Sequence, residues 1–168
     1  MHRRRTLSIE PTVRGFGYAV LETTPDGERL VGWGLAHLRD RSPKGYRARF
    51  LRLVYRYLPD ALVLEDLTGS RRGARVRRVL PVLAAEAERL GIEVRFVSRQ
   101  AVMEKWGAKN RHEVACLVAE RFPELRPWLP EKRRAWEGNP MKVAVIGSAS
   151  RWGKRDAEAS TKVTLSGI

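Results

Sequence analysis

Apolar positions along the chain fall into blocks whose period switches between two and three-to-four. Residues 5–11 and 16–22 alternate as strands and are joined by a short glycine-containing turn, which is a hairpin signal. "GERLVGWGLAHL", 27–38, continues the alternation as a third strand. In "SPKGYRARFLRLVYRYLP", 42–59, Phe50, Leu51, Val54, Tyr57 and Leu58 recur at helical spacing, and Pro59 closes the segment. "DALVLEDL", 60–67, is a short continuous apolar run, the pattern of a strand buried on both faces. "ARVRRVLPVLAAEAERLG", 74–91, reads as a helix stopped by Gly91, with Pro81 expected to kink it or to lie near its first turn. "IEVRFV", 92–97, is a further strand. "SRQAVMEKWG" and "KNRHEVACLVAERFP" are helices with Ser98 and Asn110 as N-caps.

This order predicts an α/β domain. Three strands meander antiparallel, and the later strands, each reached through a helix, join by right-handed crossovers. The first and fourth strands can then lie side by side and parallel. Past Lys132 the periodicity weakens. "MKVAVIGSASRW" fits a strand or a poor helix, and the expected division is one domain over 1–150 with a polar tail over 151–168.

Charge changes the picture more than composition does. Thirty-three Lys plus Arg against 19 Asp plus Glu leave a formal +14, which bears on partners rather than on fold. A polyanion, most simply nucleic acid, is the expected partner. With one cysteine, Cys116, no intrachain disulfide can form and a cysteine-based zinc site is not expected. "MHRRRTLSIE" has a basic lead without an apolar core, and no uncharged apolar run approaches ~20 residues, so a cytoplasmic protein without membrane association is expected.

Two of the buried-looking strands end on acids: Glu10 closes "TLSIE", and Glu65 with Asp66 closes "ALVLED". Neighbouring parallel strands would bring Glu10 and Glu65 together. Clustered carboxylates repel unless a cation or a shared proton compensates them, and oxygen ligands suit Mg²⁺ or Mn²⁺. The other reading of the same acids is that they face solvent or pair with nearby arginines.

"LSIEPTVRGFGYAVLE" resembles the opening hairpin of the ribonuclease H-like superfamily, in its RuvC-type Holliday-junction resolvase branch. "PDALVLEDL" resembles the second acidic motif of that branch. "IEVRFVSRQAVMEKWGAKNRHEVACLVAERF" is similar to its last strand and the helices that follow. The resemblance spans about residues 6–122. It implies a mixed five-stranded sheet with helices on both faces, and a homodimer that cuts branched DNA with Mg²⁺ or Mn²⁺. It implies Glu10 and Glu65 as metal ligands and catalytic groups, with Asp66 as a helper.

The chain departs from the family pattern in places. Glu10 stands where the family has aspartate, and Thr12 where it has glycine. Val145 or a neighbour falls where a late acid belongs, and 138–152 contains no Asp or Glu; Asp156 is the candidate for a displaced third ligand, and the alternative is an incomplete site on a diverged tail.

Basic residues complete the candidate site. Arg71, Arg72, Arg75, Arg77 and Arg78 follow the second acidic motif in a Gly- and Arg-rich loop suited to phosphates. Lys109, Arg133 and Arg134 are further candidate nucleic-acid contacts; a solvated charged face is the alternative for all of these. The expected function is that of a nucleic-acid-binding, RuvC-type metal-dependent endonuclease acting on branched or structured DNA, DNA in preference to RNA, with cleavage that is weak or lost. The alternative is a non-catalytic DNA-, RNA- or protein-binding module on the same fold.

Overall fold

The structure is a computed structural model that describes residues 3–129, 145 and 148–151. Three strands, β1 (Arg4–Thr12), β2 (Gly15–Thr24) and β3 (Gly27–His37), lead into α1 (Pro43–Tyr57). Then come β4 (Ala61–Glu65), α2 (Ala74–Arg89), β5 (Glu93–Val97), α3 (Arg99–Trp106) and α4 (Arg111–Arg121). The sheet order is β3-β2-β1-β4-β5; β1–β2 and β2–β3 are antiparallel, and β1–β4 and β4–β5 are parallel. This is the mixed sheet that the element order predicts.

Local chemistry explains the boundaries. The Ser42 hydroxyl accepts the Gly45 N–H ahead of α1, and Pro43 enters where no intrahelical N–H is needed. The Ser98 and Asn110 side chains cap α3 and α4 in the same way. Pro81 lies well inside α2 rather than in its first turn, on the exposed side. The helix ends before Gly91, whose φ of 75° is the left-handed conformation that glycine adopts freely.

The period-two alternation sorts the sheet residues between two cores. Leu7, Ile9, Val20, Leu62 and Leu64 meet α1 and α2 through Tyr46, Phe50, Val79 and Leu83. On the other face Ala19, Leu21 and Leu30 meet Val102 of α3, Val114 and Val118 of α4, and Leu125, Val145 and Ala149. β4 is buried along its whole length, as its continuous apolar run requires.

At the Arg4 end of the sheet, Glu22 is fully buried and stands in register with Arg5 on one side and Arg29 on the other. Arg5 donates to it at 2.8 Å, Arg29 at 2.8 Å, and Arg3 lies 2.6 Å away. Those hydrogen bonds from Arg5 and Arg29 hold the Glu22 carboxyl below the ordinary value. Between α1 and α2, hydrogen bonds from Arg89 and Arg47 lower Glu86 to about 2.

A carboxyl whose folded pKa is depressed stabilises the fold above its unfolded pKa, and the contribution is lost as pH falls through the folded value. Acid unfolding should therefore begin below the ordinary value of 4.5 and run toward about 2. Glu86→Gln should remove part of this dependence, read as a flatter stability-versus-pH curve between these limits in urea titrations.

Candidate functional site

The parallel β1–β4 register pairs Ser8 with Val63. Two residues further along each strand are Glu10 and Glu65, which therefore emerge side by side on the face toward the second core. On the other flank, Gly17 of β2 is the register partner of Glu10 and contributes no side chain to that face. Both acids are buried, Glu10 to 5% and Glu65 to 1% exposure.

Arginines close the pair. The Arg72 Nη2 group donates to Glu10 Oε1 at 2.6 Å and to Glu65 Oε2 at 2.9 Å, bridging the two strands. Arg151, itself buried to 5%, approaches from the far end of the chain. Its Nη2 donates to Glu10 Oε2 at 3.2 Å and lies 3.7 Å from Glu65 Oε2, while its Nη1 donates to the Ile9 carbonyl at 3.3 Å. Arg99, the first residue of α3, donates to Glu65 Oε1 at 2.7 Å. Among the described residues, three guanidinium groups thus contact the two carboxylates, and Arg111 acts on Glu10 without such a contact. Burial pushes the Glu10 carboxyl up, but Arg151, Arg72 and Arg111 outweigh it and hold the carboxyl below its usual range.

Neighbouring structure fixes these arginines. The loop between β4 and α2 turns at Gly69, the Ser70 hydroxyl accepts the Arg72 N–H at 3.2 Å, and Arg77 donates to the Arg72 carbonyl at 3.1 Å and to the Ser70 carbonyl. The Trp106 indole N–H donates to the Ser150 carbonyl at 2.6 Å, fastening the residue before Arg151 to α3.

The expected site residues divide. Glu10, Glu65 and Arg72 come together. Asp66 does not join them: its carboxylate accepts the Thr68 N–H at 2.9 Å, a bond that lowers its pKa. Arg77 latches its own loop, Arg75 donates to the Val13 carbonyl at 3.3 Å, and Arg71 and Arg78 make no hydrogen bond or ion pair with a described residue. Lys109 is exposed at the entry to α4. Asp156, Arg133 and Arg134 lie outside the described residues.

Sequence reading missed Arg99 and Arg151. The signal for Arg99 was its place directly after the Ser98 cap, at the sheet end that carries Glu65; Arg151 had no motif to mark it. Val145, set against the family's late acid, is fully buried among Val114, Val118 and Leu125.

As far as the described residues go, the donor set does not fit a divalent metal. Among the described residues no three His, Cys, Asp or Glu side chains are arranged to hold one. Guanidinium groups occupy the carboxylate oxygens that would serve as ligands. Two unit charges about 4 Å apart repel by about 4 kcal/mol at an effective dielectric of about 20, and a divalent ion beside a guanidinium doubles that.

This sheet order, with helices on both faces and an acid at the end of each central parallel strand, is the ribonuclease H-like fold. No family model matches the sequence, and no curated protein does. Solved structures do. Thermus thermophilus RuvC aligns with a TM-score of 0.64 at 18% identity, over 92% of this chain and 96% of that one. The same organism's RuvC in complex with Holliday junction substrate aligns at 0.63 and 18% identity, over 88% and 91%. The fowlpox virus Holliday junction resolvase aligns at 0.55 and 12% identity, over 96% and 99%. The chain thus shares the fold of the resolvases that its motifs resemble.

Removing Arg151 leaves a buried carboxylate with less compensation. Arg151→Met should destabilise the protein by about 3 kcal/mol, near the low end for a broken buried ion pair because Arg72 remains. Glu10→Gln in the same chain should recover much of that loss. Urea unfolding of the four members of this double-mutant cycle measures both.

Proposed function

We propose that this protein binds branched or structured DNA and that its carboxylate pair serves structure rather than metal-dependent cleavage. The observation that carries this reading is the bridging of Glu10 and Glu65 by Arg72 and Arg151, with Arg99 adding a third positive charge. Neutralised in this way, the pair offers no open carboxylate to a metal. The excess of basic side chains remains available to phosphates.

The binding reading draws on three supports. The first is the formal charge of +14. The second is the set of arginines in and after the β4–α2 loop, of which Arg71, Arg75 and Arg78 are exposed or nearly so at the sheet end carrying Glu10. The third is the shared fold with resolvases, one of which was solved on a Holliday junction. Contacts of this kind fix a protein on nucleic acid through its backbone rather than by reading base edges. Duplex arms meeting at a branch are the favoured ligand.

Fluorescence anisotropy with a synthetic four-way junction tests the reading. Binding should be retained in Mg²⁺ and in chelator alike, and log K should fall steeply with log[salt]. The labelled junction should remain uncut by wild type in Mg²⁺ or Mn²⁺. Metal-dependent cleavage by wild type that Glu10→Gln and Glu65→Gln each abolish would replace this reading with that of an endonuclease.

A further inference from the structure

At the sheet end that carries Glu10, three separate segments converge on the β1–β2 turn. The Leu38 N–H donates to the Arg14 carbonyl at 3.0 Å, which ties the end of β3 to the turn. The Tyr46 hydroxyl of α1 donates to the Thr12 carbonyl, and Arg75 of α2 donates to the Val13 carbonyl at 3.3 Å. Two glycines allow this close approach. A Cβ on Gly15, whose φ is 148°, would strike the Ala36 carbonyl oxygen, and one on Gly45 would strike that of Asp40. The turn, the β3–α1 loop and the first turns of α1 and α2 are thereby held in fixed relation.

This convergence builds a basic surface from residues scattered in sequence. One open depression of about 420 Å³ is lined by Arg14, His37, Arg39 and Arg41. A second, of about 510 Å³, is lined by Arg41, Arg75 and Arg78 together with Ser42 and Pro43. Arg41 belongs to both, so the two form one track. Arg14, Arg39 and Arg41 are exposed, and their side chains make no hydrogen bond or ion pair with a described residue. The acid between them, Asp40, is engaged: its carboxylate accepts the Ser42 N–H at 2.9 Å, which lowers its pKa.

Exposed guanidinium groups without carboxylate partners, carried on backbone segments that these ties hold together, match a row of phosphates better than a solvated face. A solvated face needs no such ties. The guanidinium groups that line both depressions disfavour an apolar partner.

We infer that Arg14, Arg39 and Arg41 form, with Arg75 and Arg78, a phosphate track for one duplex arm of the DNA, extending the interface from the β4–α2 loop across to the β3–α1 loop. The inference rests on the binding function proposed above. It adds to that function Arg14, Arg39 and Arg41, which no sequence motif marks.

The test is junction binding by anisotropy across a salt series, for wild type, Arg14→Ala/Arg39→Ala/Arg41→Ala, the corresponding triple lysine variant, and Arg52→Ala as a control from an exposed position on α1 outside the track. The triple alanine variant should flatten the slope of log K against log[salt] by about 2 to 3, since each lost phosphate contact removes about 0.9. The triple lysine variant should keep the slope, and Arg52→Ala should leave it unchanged. If the triple alanine variant does not fold, Arg39→Ala and Arg41→Ala are read singly, each expected to remove about 0.9. Wild-type binding with an unchanged slope in these variants would overturn the track and leave the proposed function standing. Failure of wild type to bind any junction would overturn both.

Discussion

The parallel pairing of β1 with β4 imposes the constraint from which the site follows. It carries two glutamates to the same face at the same level, buried and adjacent. Two such charges cannot stay ionised in a protein interior without compensation. The chain supplies it from three directions: Arg72 from the loop after β4, Arg99 from the start of α3 and Arg151 from beyond the last described helix residues. The ties that hold these arginines, from Ser70, Arg77 and Trp106, are the local consequences of that demand.

The same solution appears at the other end of the sheet. Glu22 is buried between Arg5 and Arg29 in strict cross-strand register, with Arg3 completing the cluster. Glu86 is held between Arg47 and Arg89 on the helical layer. Among the described residues, the buried acids are thus consistently matched to arginine. The basic excess exceeds what these networks use, and the remainder at the Glu10 end lies on the turn, the β3–α1 loop and the start of α2. The arginines that stabilise the interior and the exposed, unpaired arginines are therefore spatially separate at this end of the molecule.

Much of the fold was legible because it depends on local signals. Alternation marks β1 to β3, the continuous run "ALVLE" marks the doubly buried β4, and Ser42, Ser98 and Asn110 announce their helices through capping chemistry. The juxtaposition of Glu10 and Glu65 was also legible, because element order restricts which strands neighbour each other. The arginine partners were less so. Arg72 was visible as one basic residue in a run, but nothing local distinguishes it from Arg71, which makes no such bridge. Arg151 meets Glu10 across 141 positions of sequence, a contact that only tertiary packing creates. Asp66 looked equivalent to Glu65, yet one step along a strand reverses the side-chain direction, and its carboxylate caps the following turn instead.

The central claim is that guanidinium groups, not a metal, compensate the Glu10–Glu65 pair. A crystal structure of the protein grown in Mn²⁺, with anomalous diffraction data collected near the manganese edge, tests it most directly. The account predicts no anomalous peak between the two carboxylates, with Arg72 bridging them and Arg151 in contact with Glu10. An anomalous peak at coordination distance from both Glu10 and Glu65, with Arg72 displaced, would contradict it.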